Sequence, residues 1–392
     1  MKTNRKAIII GGNHHNTLGV IRSLGQKGIM PYVIITSGTK DSFVLKSKYI
    51  NKSWVVDGSA AAIELLLSEF NKESEKPIII SCHDGISSQI DLNFDRLKPY
   101  FILPGIEKQG RVTELMNKKI MGDFASKSGL NIPQTYILDK LNYHLYANSI
   151  PVPCITKPVE SRCGNKSEIH VFNNKGQLEK FLIKKTNKSY LVQQFVEKKF
   201  EFQLIGCSLQ SGNDIVIPGV SIIIRQPNTT NTGFLHYIAL DNSFQETVEN
   251  TKSFIRKIGY SGLFSVEFLR DKNGKDFFME INFRNDGNCI SVSNAGVNLP
   301  YIWYLAGLGN DYTPEIMPIH EEFVMPEFAE LSLYICGNIT FRQMEEDMRQ
   351  ATSYMDFDPQ DPEPTDGWNQ YKKQKRYAKL KRIARKIYKI IK

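Results

Sequence analysis

Two short runs, Leu263-Phe-Ser-Val-Glu-Phe-Leu269 and Asp276-Phe-Phe-Met-Glu-Ile-Asn282, constrain this chain more than any other feature. Both are rich in aromatic and branched residues, and Asp271-Lys-Asn-Gly274 between them is a hairpin-type turn. The pattern predicts adjacent antiparallel strands that set Glu267 beside Glu280. Alternation then places Glu280, Asn282 and Arg284 on one face and turns Met279, Ile281 and Phe283 inward. Two carboxylates, an amide oxygen and a guanidinium can converge there. Hard oxygen donors of this kind suit Mg²⁺ or Mn²⁺, ions commonly shared with substrate phosphates. An amphipathic hairpin with a solvated polar face would show the same pattern, and the hairpin alone does not separate the two readings.

The chain starts in another style. Lys6-Ala-Ile-Ile-Ile-Gly-Gly12 reads as a buried strand entering a glycine turn, and residues 16–28 carry Leu18, Ile21 and Leu24 at helical spacing. A β-branched run at 32–36, a helical pattern at 60–70 and strands at 77–81 and 100–103 complete a parallel α/β unit over residues 1–112. Gly11-Gly12-Asn13 lacks the G-x-G-x-x-G spacing of a dinucleotide turn. Loops that follow parallel strands face a crevice. His14, His15, Asn16, His83 and Asp84 are therefore candidates for touching a small substrate, with helix capping as the plain alternative.

Beyond this unit, residues 114–129 and 175–182 read as helices, 154–158 as a short strand holding Lys157, and 190–195 as another strand. A long β-rich stretch, 201–240, follows, and 254–258 falls in a helix. The expected class is α/β followed by α+β. A Pro- and Asp-rich segment, 356–370, reads as a linker to a basic end.

Charge and cysteine content exclude several classes. The formal net charge is +9, but residues 371–392 hold eleven Lys or Arg and no acid, so the remainder carries −2 and the fold itself gives no reason to expect nucleic acid. The six cysteines are scattered with no C-x-x-C pair, which fits a reducing cytoplasm better than a disulfide framework. No apolar run is long enough for a signal segment or a membrane span.

The hairpin, together with what precedes it, resembles the end of the ATP-grasp superfamily, and the resemblance spans roughly residues 1–310. It implies a Rossmann-like pre-ATP-grasp unit (1–112), a first lobe (113–190) and a second lobe (191–355), with ATP and Mg²⁺ or Mn²⁺ between the lobes. In that family a carboxylate and a Glu-x-Asn pair closing on Arg end the nucleotide site; here they read Glu267, Glu280, Asn282 and Arg284 as metal ligands and phosphoryl-facing cation. Lys118 (or its neighbour Lys119) and Lys157 match the two phosphate-binding lysines. The glycine-rich flap is replaced by Glu160-Ser-Arg-Cys-Gly-Asn-Lys-Ser167, with one glycine, where Ser161, Lys166 and Ser167 would supply donors instead. The strand through Gln193 and Val196 resembles the adenine hinge, and Glu201 sits where the family places a ribose-binding glutamate. Arg225 and Arg284 carry forks suited to a carboxylate and an acyl phosphate, with a surface ion pair as the plain reading of Arg225. His236 and Asn288 are weaker candidates.

The resemblance implies ligation of a carboxylate to an amine. Oxide is too poor a leaving group for an amine to displace, so ATP converts that oxygen to phosphate first. No covalent enzyme nucleophile is required. The style of the chain is similar to D-aspartate ligase and to carbamoyl-phosphate-synthase-like proteins of envelope polysaccharide clusters. Residues 371–392 place Tyr377, Leu380, Ile383, Ala384, Ile387 and Ile391 at three- and four-residue steps, as a basic amphipathic helix would. Such a helix suits an anionic membrane surface and lipid-linked substrates on the inner face of the membrane; it equally suits docking on the protein's own acidic surface, or RNA. The rival from another class is a non-catalytic ATP-binding module anchored by this tail. A homo-oligomer is compatible with either.

Overall fold

The computed structural model describes residues 5–159, 169–185, 188–226 and 233–367. Its first sheet is parallel, in the order β3-β2-β1-β4, built from β1 (Ala7–Gly11), β2 (Tyr32–Ile35), β3 (Lys52–Val55) and β4 (Ile78–Ser81). Its isoleucine runs are continuous because both faces are covered. Ile8, Ile10 and Ile79 pack on the helices Gly58–Phe70 and Asp84–Leu92, through Ile63, Leu66, Ile86 and Ile90. Ala7, Ile9 and Val33 meet Leu18, Ile21 and Leu24 of the helix His15–Gly25. Residues 100–103 do not form the strand expected of them. Only Ile102 bridges to Ile78.

A small antiparallel sheet in the order β5-β8-β6-β7 comes next, from β5 (Thr135–Leu138), β6 (Cys154–Pro158), β7 (His170–Phe172) and β8 (Tyr190–Gln194). The helix Lys175–Lys184 closes its core with Leu178 and Leu182. The expected helix over 114–129 is two, Arg111–Leu115 and Lys118–Lys127. Asn117 divides them, since its side-chain oxygen accepts from the N–H groups of Lys119 and Ile120 and starts the second helix afresh.

The large sheet holds β9 (Lys198–Leu209), β10 (Asp214–Val216), β11 (Gly219–Arg225), β12 (Phe234–Ala239), β13 (Gly262–Asp271), β14 (Asp276–Asn282), β15 (Glu322–Met325) and β16 (Ser353–Tyr354). Its order is β14-β13-β9-β11-β12-β15-β16, with β10 on β9. The β13–β14 hairpin is the one read from sequence. Asp271 Oδ1 accepts from Asn273 and Lys275 N–H, and Gly274 takes the left-handed φ of 85° that the turn requires.

One face of this sheet, with Phe202, Phe264, Val266 and Phe278, packs on the helices Gln245–Ile258 and Lys118–Lys127. The other face shares a core with the parallel sheet, where Ile205, Cys207, Tyr237 and Val324 join Ile9, Leu18 and Trp303.

The chain after β16 departs from a solvated linker. Asp361 is 1% exposed and Arg22 of the helix His15–Gly25 is 3% exposed. Arg22 Nε donates to Asp361 Oδ2 at 3.1 Å, and its two terminal nitrogens donate to the carbonyls of Asp356 and Asp361 at 3.0 and 2.8 Å. Asp361 also accepts from Ser47 Oγ at 2.7 Å and Lys48 N–H at 2.9 Å. A composition of Pro and Asp resembles a linker because it lacks apolar residues; here the acid is buried because a buried arginine awaits it. Residues 368–392, with the expected basic helix, lie outside the described residues.

Removing one partner of a buried, hydrogen-bonded ion pair strands the other charge. Asp361→Ala is expected to lower stability by about 3–5 kcal/mol in equilibrium urea unfolding, and the double variant Arg22→Met/Asp361→Leu to lose less than that. A midpoint for Asp361→Ala matching that of the wild type would show the contact to be idle.

Candidate active site

The small and large sheets face each other across a cleft of about 640 Å³. Its walls bring together Lys118, Lys157, Gln193, Val196, Glu201, Glu267, Glu280, Asn282 and Arg284, nine of the eleven residues singled out by sequence for this site. Lys166 lies outside the described residues, as do Ser161 and Ser167. Arg225, at the end of β11, does not line the cleft. It pairs with Asp347 of the helix Phe341–Gln350, the ion pair that was its plain reading. His236 likewise stacks on Phe323 and pairs with Glu321.

The hairpin register sets Glu267 directly opposite Glu280. Between Phe268 and Glu267 the pairing skips from Phe278 to Glu280, so Met279 is an extra residue on β14. Met279 consequently lines the cleft rather than turning inward as strict alternation predicts, while Ile281 and Phe283 are buried as expected. Lys118 leads its helix, and Met121 one turn on receives the Ile281 N–H on its sulfur at 3.2 Å. That docking carries the Lys118 ammonium to 3.2 Å from Glu280.

Glu267 is part-exposed and crowded. Burial, then the carboxylates of Glu280 and Asp286, push its acid up to about 8, against the pull of Arg284 and a hydrogen bond from Asn282. That Asn282 bond measures 3.3 Å. Two carboxylates pressed together, one of them reluctant to ionise, with an amide beside them, form an oxygen-rich set that a divalent cation would relieve. Among the described residues no three His, Cys, Asp or Glu side chains form a metal-binding group; the set is two acids and an amide, which fits an ion that keeps part of its shell for waters or substrate oxygens.

Opposite, Lys157 on β6 reaches Gln193 Oε1 at 3.1 Å, and Gln193 donates to Thr135 Oγ1 at 3.0 Å. Burial, and then Lys118, bring the Lys157 ammonium down to about 8, although Glu280, Glu267 and Glu201 oppose this. Glu201 on β9 accepts from Gln226 at 2.8 Å and pairs with Lys198. Arg284 is the most heavily partnered group. Its Nε donates to Asp84 Oδ1 at 2.8 Å, and its terminal nitrogens donate to the Asn285 carbonyl at 3.0 Å and Asn282 Oδ1 at 3.1 Å.

The crevice residues divide. Asp84 reaches the cleft, whereas His14 and His83 serve as helix caps, each accepting a backbone N–H on Nδ1 at 3.2 Å. Asn16 and Asn285 bond reciprocally and seat the loop after Arg284 on the parallel unit. Asn288 donates to Gln203 Oε1 at 2.8 Å and is buried, so it supports the site from behind. Sequence reasoning missed Gln203, Asp286 and Thr135. Gln203 had a signal, since it follows Glu201 by two along β9, a polar pair between buried Phe202 and Leu204.

Because the Lys157 pKa is lowered, its charge is present below about pH 8 and lost above it. The cleft's affinity for a polyphosphate anion, probed with ADP by calorimetry, is expected to be level near neutrality and to fall as pH rises past that value. Lys157→Arg should leave a shallower fall, that of Glu267 ionising over the same range, and Lys157→Met should bind weakly at every pH. An identical pH dependence in Lys157→Arg would remove Lys157 as its source.

At the level of sequence, no family model matches the chain and no curated protein is similar to it. Solved structures are similar in fold. The N5-carboxyaminoimidazole synthetase of Staphylococcus aureus matches over 79% of this chain and 79% of its own, with a TM-score of 0.62 and 17% identity. A complex of biotin carboxylase with β,γ-ATP from Campylobacter jejuni matches over 81% of this chain and 75% of its own, at 0.64 and 18%. An L-amino acid ligase from Bacillus licheniformis matches over 83% and 81%, at 0.60 and 15%. The chain therefore has the ATP-grasp fold, a parallel α/β unit ahead of two lobes whose sheets line a shared cleft.

Proposed function

We propose that this protein is an ATP-dependent ligase that activates a carboxylate as an acyl phosphate and couples it to an amine. The carrying observation is that residues from six separate strands and helices, singled out by the hairpin pattern and by the resemblance to the ATP-grasp superfamily, line one cleft between two sheets. The similar solved proteins include a ligase and a carboxylase, and two of their names speak of ATP or a synthetase reaction.

Each residue has a task that follows from its surroundings. The backbone of β8 near Val196 and the apolar walls Leu191, Ile155 and Leu269 offer a slot for a planar base. Glu201 presents an acceptor for sugar hydroxyls. Lys118 and Lys157 complement phosphate charge. Glu267, Glu280 and Asn282 would hold Mg²⁺ or Mn²⁺, which when bound neutralises charge on the phosphates. Arg284, fixed on three sides, holds the acid's oxygen in line with the phosphoryl group so that little reorganisation is needed during transfer. Lys118, 3.2 Å from Glu280, balances that carboxylate, and a divalent cation held by Glu280 would take over this task and leave the ammonium for a phosphate.

The finer parts of the proposal rest on sequence. The basic stripe of 371–392 supports a peripheral position on an anionic membrane surface, and with it a cell-envelope substrate. No helix among the described residues is long and apolar enough to cross a membrane.

The test is ADP formation by the purified chain with Mg²⁺ against pools of amino acids, hydroxy acids and nucleotide-linked precursors. One pool is expected to raise ADP release, and Glu280→Gln to reduce it by about a hundredfold or more, the scale of losing an electrostatic catalytic contact. Full activity in Glu280→Gln would refute the metal assignment, ADP release indifferent to every pool would leave the ligase reading unsupported, and binding of ATP with no ADP release from any pool would favour the non-catalytic nucleotide-binding module.

A further inference from the structure

We propose that Asp84 forms the amine half of the site, selecting a nucleophile that arrives as an alkylammonium and taking its proton. The inference rests on the acyl-phosphate reading above and extends it to the second substrate. Asp84 is the one cleft-lining residue contributed by the parallel unit, among the described residues, and it stands beside Arg284, the group assigned to the acid. Its side chain is 48% exposed. Oδ1 is committed to Arg284 Nε at 2.8 Å, and among the described residues nothing bonds Oδ2. The carboxylate thus offers one anchored oxygen and one open to the cleft.

The neighbouring groups cannot take this role. His83 Nδ1 accepts from the Ile86 N–H, and its Nε2 lies 2.7 Å from Thr36 Oγ1, so both ring nitrogens are engaged. Glu267 and Glu280 belong to the metal set. Arg284 is already offset by Asp286 at 3.6 Å, so its charge does not by itself demand a second acid on the cleft side.

An amine is protonated in water near neutrality, and the ammonium has no lone pair. Asp84 Oδ2 attracts that charge and accepts one proton. The freed lone pair then attacks the acyl carbon, the bond from that carbon to the bridging oxygen breaks, the oxygen and the electron pair leave on the phosphate, and the second proton of the nitrogen goes with them. Ammonium, acyl phosphate and carboxylate become amide, hydrogen phosphate and carboxylic acid, with charge conserved. Uncharged nitrogen nucleophiles do not need the first step.

Asp84→Asn separates the two roles of this residue, because the amide oxygen still accepts from Arg284 while the charge and the base are lost. Hydroxylamine, uncharged at neutral pH, traps acyl phosphate as hydroxamate. Whatever the variant loses in hydroxamate formation through Arg284, it is expected to lose about a further hundredfold in amide formation with a pool of amino acids and diamines, so that the ratio of amide to hydroxamate falls by that factor, the usual worth of a general base. Asp84→Glu should restore part of it. Equal loss of hydroxamate and amide would mean that Asp84 only supports Arg284, and undiminished amide formation would mean that it does nothing; either overturns the proposal. If the wild type forms no hydroxamate from any acid, the acyl-phosphate reading fails first and this one with it.

Discussion

Two carboxylates facing each other across a hairpin are an unfavourable arrangement, and much of the structure is organised by it. Like charges paired across strands destabilise a sheet, and burial worsens the repulsion by withdrawing solvent. The cations that moderate it come from separate parts of the chain. Lys118 approaches from a helix packed under β14, Lys157 from the opposing sheet, and Arg284 from the strand's own extension. None is adjacent in sequence to Glu267. The fold's task is to bring them together, and a divalent cation between the two acids would relieve the repulsion further.

The supports behind the cleft explain why the arrangement can be held. β9 lies between β13 and β11 and carries Glu201 and Gln203 on the cleft side, while its later residues enter the core shared with the parallel sheet. Asn16 clasps Asn285, and Asn288 clasps Gln203, so the loop after Arg284 is fixed from two directions. Buried amide networks of this kind rigidify most when every member is satisfied; here the amide donors are paired, while Asn285 Oδ1 and Asn288 Oδ1 have no hydrogen-bond partner among the described residues.

Much of the fold was legible because its signals are local. The isoleucine runs of β1 and β4, the helical spacing of 16–28 and the Asp-Lys-Asn-Gly turn each declare their structure within a dozen residues. The hairpin residues Glu267, Glu280 and Asn282 were legible from strand alternation, whereas Lys118, Lys157, Gln193, Val196 and Glu201 were reached through the resemblance to the ATP-grasp superfamily. What escaped depends on tertiary context. The bulge that exposes Met279 obeys no sequence rule available in one chain, and the break at Asn117 is a capping choice that helical periodicity conceals. Arg225 carried a fitting guanidinium in a fitting stretch, yet its partner Asp347 lies 122 positions away. Asp361 read as linker for the same reason, since nothing near it announces Arg22.

The union of Arg22 with Asp361 also bears on how the protein is made. A ribosome releases the first helix long before the acid that completes it, and domains emerging early generally fold as they appear. Here the parallel unit carries an arginine whose burial is compensated by an acid 339 positions further along the chain. Until then its guanidinium must stay hydrated and that edge of the unit open. Completion of this edge is thereby tied to the synthesis of residue 361, and a chain cut short before it would be marked by an edge that never closes.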